Sequence, residues 1–182
     1  MKSTILSLAA VLVLFTSCKD DKKSEAEVVA PKDLPFTITV NAIVEKDDIF
    51  QIFFNEDGKE SYAPEDAITV NVTGKPQAQD IVFVLPEEIT PMSLRFDVGA
   101  NKELGQVKVN GFTLNYLDAS FNGTSAQFFK SFYPNDNAEF DVANNTIKLK
   151  SIEGKPYDPI LGATVDLKTE MTKLYNKAQG KK

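Results

Sequence analysis

The chain has 182 residues, with 20 Lys and Arg against 26 Asp and Glu, no His, no Trp and one Cys. The missing His removes the commonest general base and metal ligand. The single Cys, Cys18, leaves the rest of the chain without a disulfide, a thiolate nucleophile or a zinc-thiolate site. Ser-His-Asp and Cys-His catalysis are thus excluded within this chain. Its acidic balance repels polyphosphate, so no nucleic-acid partner is expected. Apolar residues at 42% and charged residues at 25% fit a soluble globular domain.

Residues 1–18 read as an export signal. Lys2 gives a positive start, and Ile5 to Phe15 is an almost unbroken apolar run of 11 residues. As helix that run spans about 16 Å, too short for a hydrocarbon core of roughly 30 Å but right for a signal peptide. Phe15-Thr16-Ser17-Cys18 then resembles a lipobox, the lipoprotein signal-peptidase motif, with Phe15 where leucine is usual. An ordinary cleaved signal with an incidental cysteine is the alternative. The lipobox resemblance implies that Cys18 becomes the acylated N-terminus, a membrane anchor that does not span the bilayer. Lys19-Asp20-Asp21 resembles the lysine-acidic-acidic tag of outer-surface lipoproteins in some Gram-negative bacteria; a generic charged tether is the other reading. These resemblances imply an outer-membrane or cell-surface location.

Residues 19–35 carry Lys, Asp, Glu, Ser, Ala and two prolines without periodicity, the composition of a flexible tether. Its extended reach is on the order of 50 Å at about 3 Å per residue. Cleavage would remove Lys2, leaving 19 basic and 26 acidic residues, a net charge of −7.

Residues 36–182 form the expected folded domain, enough chain for a two-layer core. Phe36, Ile38, Val40, Ala42 and Val44 alternate with polar residues, a half-buried strand. Ile49 to Phe54 follows, then Asn55-Glu56-Asp57-Gly58, a hairpin-type turn with glycine at the positive-φ place. Further strands are expected at Ala67 to Val72, Ile81 to Leu85, Ser93 to Val98, Gln106 to Tyr116, Ala138 to Val142, Thr146 to Ile152 and Ala163 to Leu167. In the longest, Val107 and Val109 share one parity, and Phe112, Leu114 and Tyr116 the other. Asn110-Gly111 at the switch predicts a bulge. Ser125 to Tyr133 fits a helical turn or a strand equally well. Leu167, Met171, Leu174 and Tyr175 suit a helix, so a strand passing into a short C-terminal helix is expected. Short strands at near-regular spacing predict an all-β antiparallel β-sandwich.

Arg95-Phe96-Asp97-Val98 with Val107-Lys108-Val109 echoes Glu139-Phe140-Asp141-Val142 with Ile147-Lys148-Leu149. Shared hairpin chemistry and duplication both account for this. The segment from Leu94 to Gly99 and that from Gly105 to Leu114 together resemble the penultimate-strand hairpin of carbohydrate-binding-like jelly rolls. Glu139 to Gly162, with Tyr157-Asp158-Pro159, follows the pattern more loosely. Such domains occur beside bacterial polysaccharide glycosyltransferases and in surface lipoproteins. The resemblance implies a jelly-roll-like sandwich and a carbohydrate-binding or glycan-assembly accessory role. The tryptophans usual in that family are missing here.

Sugar recognition needs an aromatic platform with amides and carboxylates nearby. Without Trp, the candidates are Tyr116, Tyr133 and Tyr157, with Asn115, Asp118, Asn135 and Asp136 close in sequence; Phe128, Phe129 and Phe132 suit a core. Tyr133 leads, because Pro134-Asn135-Asp136-Asn137 follows it directly. Paired carboxylates could hydrolyse a glycoside without His, with Asp97, Glu139 and Asp141 as candidates. Arg95 and Asp97 share a strand face, though, and read as a structural cross-strand ion pair. Glu87-Glu88 reads as a solvated loop. Asp47-Asp48, the 55–58 turn and Asn135-Asp136-Asn137 offer calcium ligands, but none fits an EF-hand loop, whose first ligand would fall on Phe53. No catalytic residue, metal or cofactor is assigned. Two functions are carried forward: a surface glycan-binding module, and an interaction lipoprotein that docks a partner protein without catalysis.

Overall fold

The computed structural model describes residues 35–180. The signal, Cys18 and nearly all of the tether lie outside the described residues. Among the described residues no helix is long and apolar enough to cross a membrane.

Among the described residues, eleven strands form two antiparallel sheets, with two α-helices. The strands are β1 (Thr37–Val44), β2 (Asp48–Asn55), β3 (Ala67–Val72), β4 (Lys75–Val84), β5 (Ser93–Asp97), β6 (Gln106–Tyr116), β7 (Ala119–Thr124), β8 (Phe132–Pro134), β9 (Ala138–Asp141), β10 (Thr146–Leu149) and β11 (Ile160–Ala163). Helix α1 spans Ser125–Ser131 and α2 spans Val165–Ala178. One sheet runs β4-β1-β6-β10-β9, with β7 also paired to β6; the other runs β3-β2-β5-β11-β8. This is the expected all-β sandwich with a short C-terminal helix.

The alternation in β1 buries Ile38, Val40, Ala42 and Val44 and leaves Thr37, Thr39, Asn41 and Ile43 less covered, as period-two geometry requires. Phe96 of β5 lies at the centre of the core. Its ring meets Phe50 at 5.8 Å and Phe83 at 5.9 Å between centroids, both edge-on. Phe83 belongs to the opposite sheet, so this contact joins the two layers. Phe128 and Phe132 complete the ring cluster, at 6.3 and 6.4 Å from Phe96. Tilted and edge-on pairs of this kind add about 0.5–1.5 kcal/mol each beyond their burial.

The bulge falls where the parity switches. Asn41 pairs with Gly111 and Ala42 with Val109, so Asn110 is the extra residue. Val107 and Val109 before it and Phe112 and Leu114 after it therefore all point inward. The far edge of β6 divides at the same place: β10 takes Gln106 to Lys108 and β7 takes Gly111 to Tyr116.

Ser125 to Tyr133 contains both of its expected alternatives in succession. Thr124 and Gln127 form a capping box that starts α1, and Phe132 leaves the helix in extended backbone to begin β8. The expected strand at Ala163 to Leu167 is corrected: β11 ends at Ala163, and the Thr164 side chain accepts from Leu167 N to cap α2. Leu167, Met171 and Leu174 form the buried stripe of α2.

The hairpin reading of Leu94 to Leu114 is also corrected. β5 pairs with β2 and β11, while β6 pairs with β1, β7 and β10, so the two strands lie in opposite sheets. Phe96 and Val109 are both buried in the shared core instead of sharing a ladder. Their apparent echo, Glu139 to Leu149, is a hairpin: β9 and β10 pair directly, and Asn145 supplies the left-handed turn residue at φ 56°.

Candidate functional site

The outer face of the β3-β2-β5-β11-β8 sheet carries a row set by register. Phe53 pairs with Arg95, Arg95 with Gly162, and Gly162 with Tyr133. The Arg95 guanidinium stacks on Phe53, 4.4 Å from its centroid. It also donates to both Asp97 oxygens, from Nε at 2.7 Å and from Nη2 at 2.5 Å. The expected cross-strand pair is thus an i, i+2 pair along one strand, because the cross-strand neighbours of both residues are uncharged. The hydrogen bonds that Arg95 donates to Asp97 hold the guanidinium firmly in its charged form, whereas burial pushes the Asp97 carboxyl up against the pull of Arg95.

Gly162 is required for Tyr133 to lie where it does. A Cβ at 162 would fall 2.7 Å from Tyr133 Cε1 and closer still to Cζ. One side of the ring therefore covers the glycine backbone, while 43% of the residue stays exposed. An aromatic side chain over a cross-strand glycine covers an otherwise bare stretch of ladder.

The opposite wall comes from the loop between β2 and β3. Asn55 shapes it: Nδ2 donates to the carbonyls of Lys59 (2.7 Å) and Ser61 (2.9 Å), and Oδ1 accepts from Gly58 N (3.0 Å). Gly58 takes φ 71°, as the turn predicted. This fold-back places Glu60, Ser61 and Tyr62 over the sheet, where the Tyr62 hydroxyl meets Ser93 Oγ at 2.8 Å. The result is a groove of about 430 Å³ lined by Glu60, Ser61, Tyr62, Arg95, Tyr133, Asn135, Ile160 and Gly162. That size falls within the roughly 300–1,000 Å³ common for small-molecule sites. Burial, followed by the Glu60 carboxylate, pushes the Tyr133 hydroxyl up; burial does the same to Tyr62, with Glu60 adding to it.

Of the residues picked from sequence, Tyr133 and Asn135 meet in this groove. Asn135 has a structural task there: Nδ2 donates to Asp158 O at 2.7 Å, and Oδ1 accepts from the N–H groups of Asn137 and Ile160. Asp136 points elsewhere, paired with Lys155 at 3.0 Å. Tyr116 packs against Phe36 and Tyr175, centroids 6.3 and 5.0 Å away, and its hydroxyl meets Thr90 Oγ1. Tyr157 is half-buried, its hydroxyl 3.5 Å from Asn101 O. Glu60, Tyr62 and Arg95 were not picked as ligand contacts. The Asn55 turn was the one sequence signal for the loop that brings Glu60 and Tyr62 in.

The carboxylates considered for hydrolysis are dispersed. Asp97 lies in one sheet, and Glu139 and Asp141 in the other, paired with Lys150 at 3.6 Å and Lys148 at 2.8 Å. Asp47 and Asp48 hold loops. Asp47 Oδ1 accepts from Gly74 N, and Asp48 Oδ1 accepts from the N–H groups of Ile49, Ala100 and Asn101. Asp48 Oδ2 is buried against Gly99. Among the described residues, no three His, Cys, Asp or Glu side chains cluster as a metal site.

Other clefts offer less to a sugar. That on the β1-β6 face, about 490 Å³, has hydroxyls and amides, but its one ring, Phe112, is buried. A cleft between α1 and α2 is lined largely by charged side chains, among them Lys130, Asp166, Glu170 and Lys173. One of about 680 Å³ beside α2 contains Met92, Met171 and Tyr175, whose hydroxyl already donates to Pro91 O.

Comparison with family models, curated protein sequences and solved structures returns no match.

Proposed function

We propose that this chain is a lipid-anchored surface protein whose sandwich domain binds glycan in the Tyr133 groove, as an accessory module without catalysis. The observation that carries this reading is the Tyr133 ring, backed by Gly162 on one side and open to solvent on the other. A pyranose presents an apolar C–H face that suits such a ring, and its hydroxyls suit the Ser61, Tyr62 and Arg95 donors around it. The groove is open to solvent between its two walls, which favours an extended chain bound weakly over a small molecule enclosed. The Cys18 anchor and the 19–35 tether would hold such a module clear of the membrane.

The test is binding of the purified chain to a glycan array, with Tyr133→Ala alongside. Retention of one glycan class, lost on Tyr133→Ala without loss of folding, supports the reading. A second reading, docking of a partner protein, draws on the Met92 cleft, where Met92 is 54% exposed beside Met171. A blank array together with specific capture of one protein that Met92→Glu abolishes would favour it.

A further inference from the structure

Building on the glycan reading, we propose that the groove selects a sugar carrying a protonated amine over neutral and acidic sugars, with Glu60 as the selecting group. The charged groups facing the groove are few. From β5 come Arg95 and Asp97, bound to one another through both carboxylate oxygens. Asp158, in the loop before β11, bears on Arg95 and Asp97 by charge but is not among the residues that line the groove. From the β2–β3 loop comes Glu60, exposed and without an ion-pair partner among the described residues. The neighbouring cations of that loop are engaged elsewhere: Lys59 with Asp57 at 2.8 Å, and Lys168 with Gly58 O at 2.9 Å.

Arg95 is thus neutralised inside the sheet face, and the groove keeps the Glu60 charge. Glu60 lines the groove together with Tyr62 and Tyr133, the two rings that wall it. A carboxylate beside two tyrosines attracts an ammonium in two ways, by charge and by the negative faces of the rings. A uronic or sialic acid would meet Glu60 as a like charge. A neutral sugar would stack on Tyr133 but leave Glu60 unmatched.

Isothermal titration of the full chain with oligomers of glucosamine, N-acetylglucosamine and galacturonic acid, matched in length, tests this. An exposed ion pair plus cation–π contact predicts about fivefold to tenfold tighter binding of the amine than of its N-acetyl form. The acid is expected to bind weakest. Glu60→Gln should erase the amine preference while keeping N-acetyl binding, and Tyr133→Ala should weaken both. Glu139→Gln, which removes one exposed charge from the other sheet, should leave the preference intact. Equal affinities, a preference that survives Glu60→Gln, or one that falls as far in Glu139→Gln would overturn the selection while sparing the glycan reading. Binding of none of the three sugars, with an empty glycan array, would overturn both.

Discussion

Gly162→Ala separates the ligand platform from the fold. The added methyl falls inside contact distance of the Tyr133 ring, while Gly162 itself has no positive φ, so the backbone accepts alanine. The obstacle is the far end of a side chain already 43% exposed, and the ring can swing outward at small cost. Losing the cross-strand aromatic contact costs about 0.2–1 kcal/mol. Replacing glycine by alanine in a compatible strand position returns about 0.4–1 kcal/mol. The net change in stability is therefore near zero, within about 0.5 kcal/mol by urea denaturation. Glycan affinity, by contrast, should fall on the order of tenfold, because a stacked ring contributes about 0.5–1.5 kcal/mol and the displaced ring also narrows the groove. Tyr133→Ala should weaken binding as much, and adding Gly162→Ala to it should change nothing more, since both remove the same platform. Full glycan affinity in Gly162→Ala would refute this reasoning. So would a loss of several kcal/mol in stability, which would make the Tyr133 ring part of the packing.

Phe96→Ala removes the ring that joins the layers and should cost about 3–5 kcal/mol by denaturant titration, enough to threaten folding. Deleting Asn110 and Gly111 together makes Val109 and Phe112 adjacent, so one of the two apolar sets is forced outward and folding should fail; deleting Asn110 alone removes only the bulge, keeps all four residues inward and should fold, as circular dichroism will show. Asn135→Ala strips partners from the N–H groups of Asn137 and Ile160, so a loss of about 1–3 kcal/mol in thermal or urea unfolding is expected, with weaker glycan binding as the groove loosens. Cys18→Ser should move the protein from the membrane pellet to the soluble fraction or leave an unprocessed precursor; unchanged detergent partitioning would rule out lipidation at Cys18.

Period-two patterning carried much of this fold because each strand has one buried face. It worked for β1, and even for the parity switch at Asn110, which register and burial explain together. It was weakest at the edge of the sheet. The first half of β4, Lys75 to Gln79, is exposed or nearly so on both faces, so no alternation marks it and only its Ile81 to Val84 end was legible. β7 was missed because Gly123 and the polar Ser120 and Asn122 leave it little apolar face. At Thr164 a capping signal preceded α2, but the apolar residues around it fitted a strand as well. The swap of β5 and β6 between sheets follows from long-range pairing, which local alternation does not encode.

The site was legible only where its residues are neighbours in the chain. Tyr133 could be inferred from the Asn-rich turn after it, yet the amide of Asn135 proved to serve that turn. Glu60 and Tyr62 stand about 70 residues away in sequence, and the register of β2, β5, β11 and β8 joins them to Tyr133. Tyr116 and Tyr157 have the same local polar company as Tyr133, but strand direction turns them into a packed cluster and a half-buried loop contact.

Tyrosine rings give the most direct test of the central claim. The chain has five, Tyr62, Tyr116, Tyr133, Tyr157 and Tyr175, and no Trp. In a chain carrying isotope-labelled tyrosine, the ring resonances of each can be followed by NMR during titration with the glycan that the array selects. The groove account predicts saturable shifts at Tyr133 and smaller ones at Tyr62, with Tyr116 and Tyr175 unmoved. Shifts centred on Tyr116 or Tyr175, or binding that leaves Tyr133 unchanged, would contradict it.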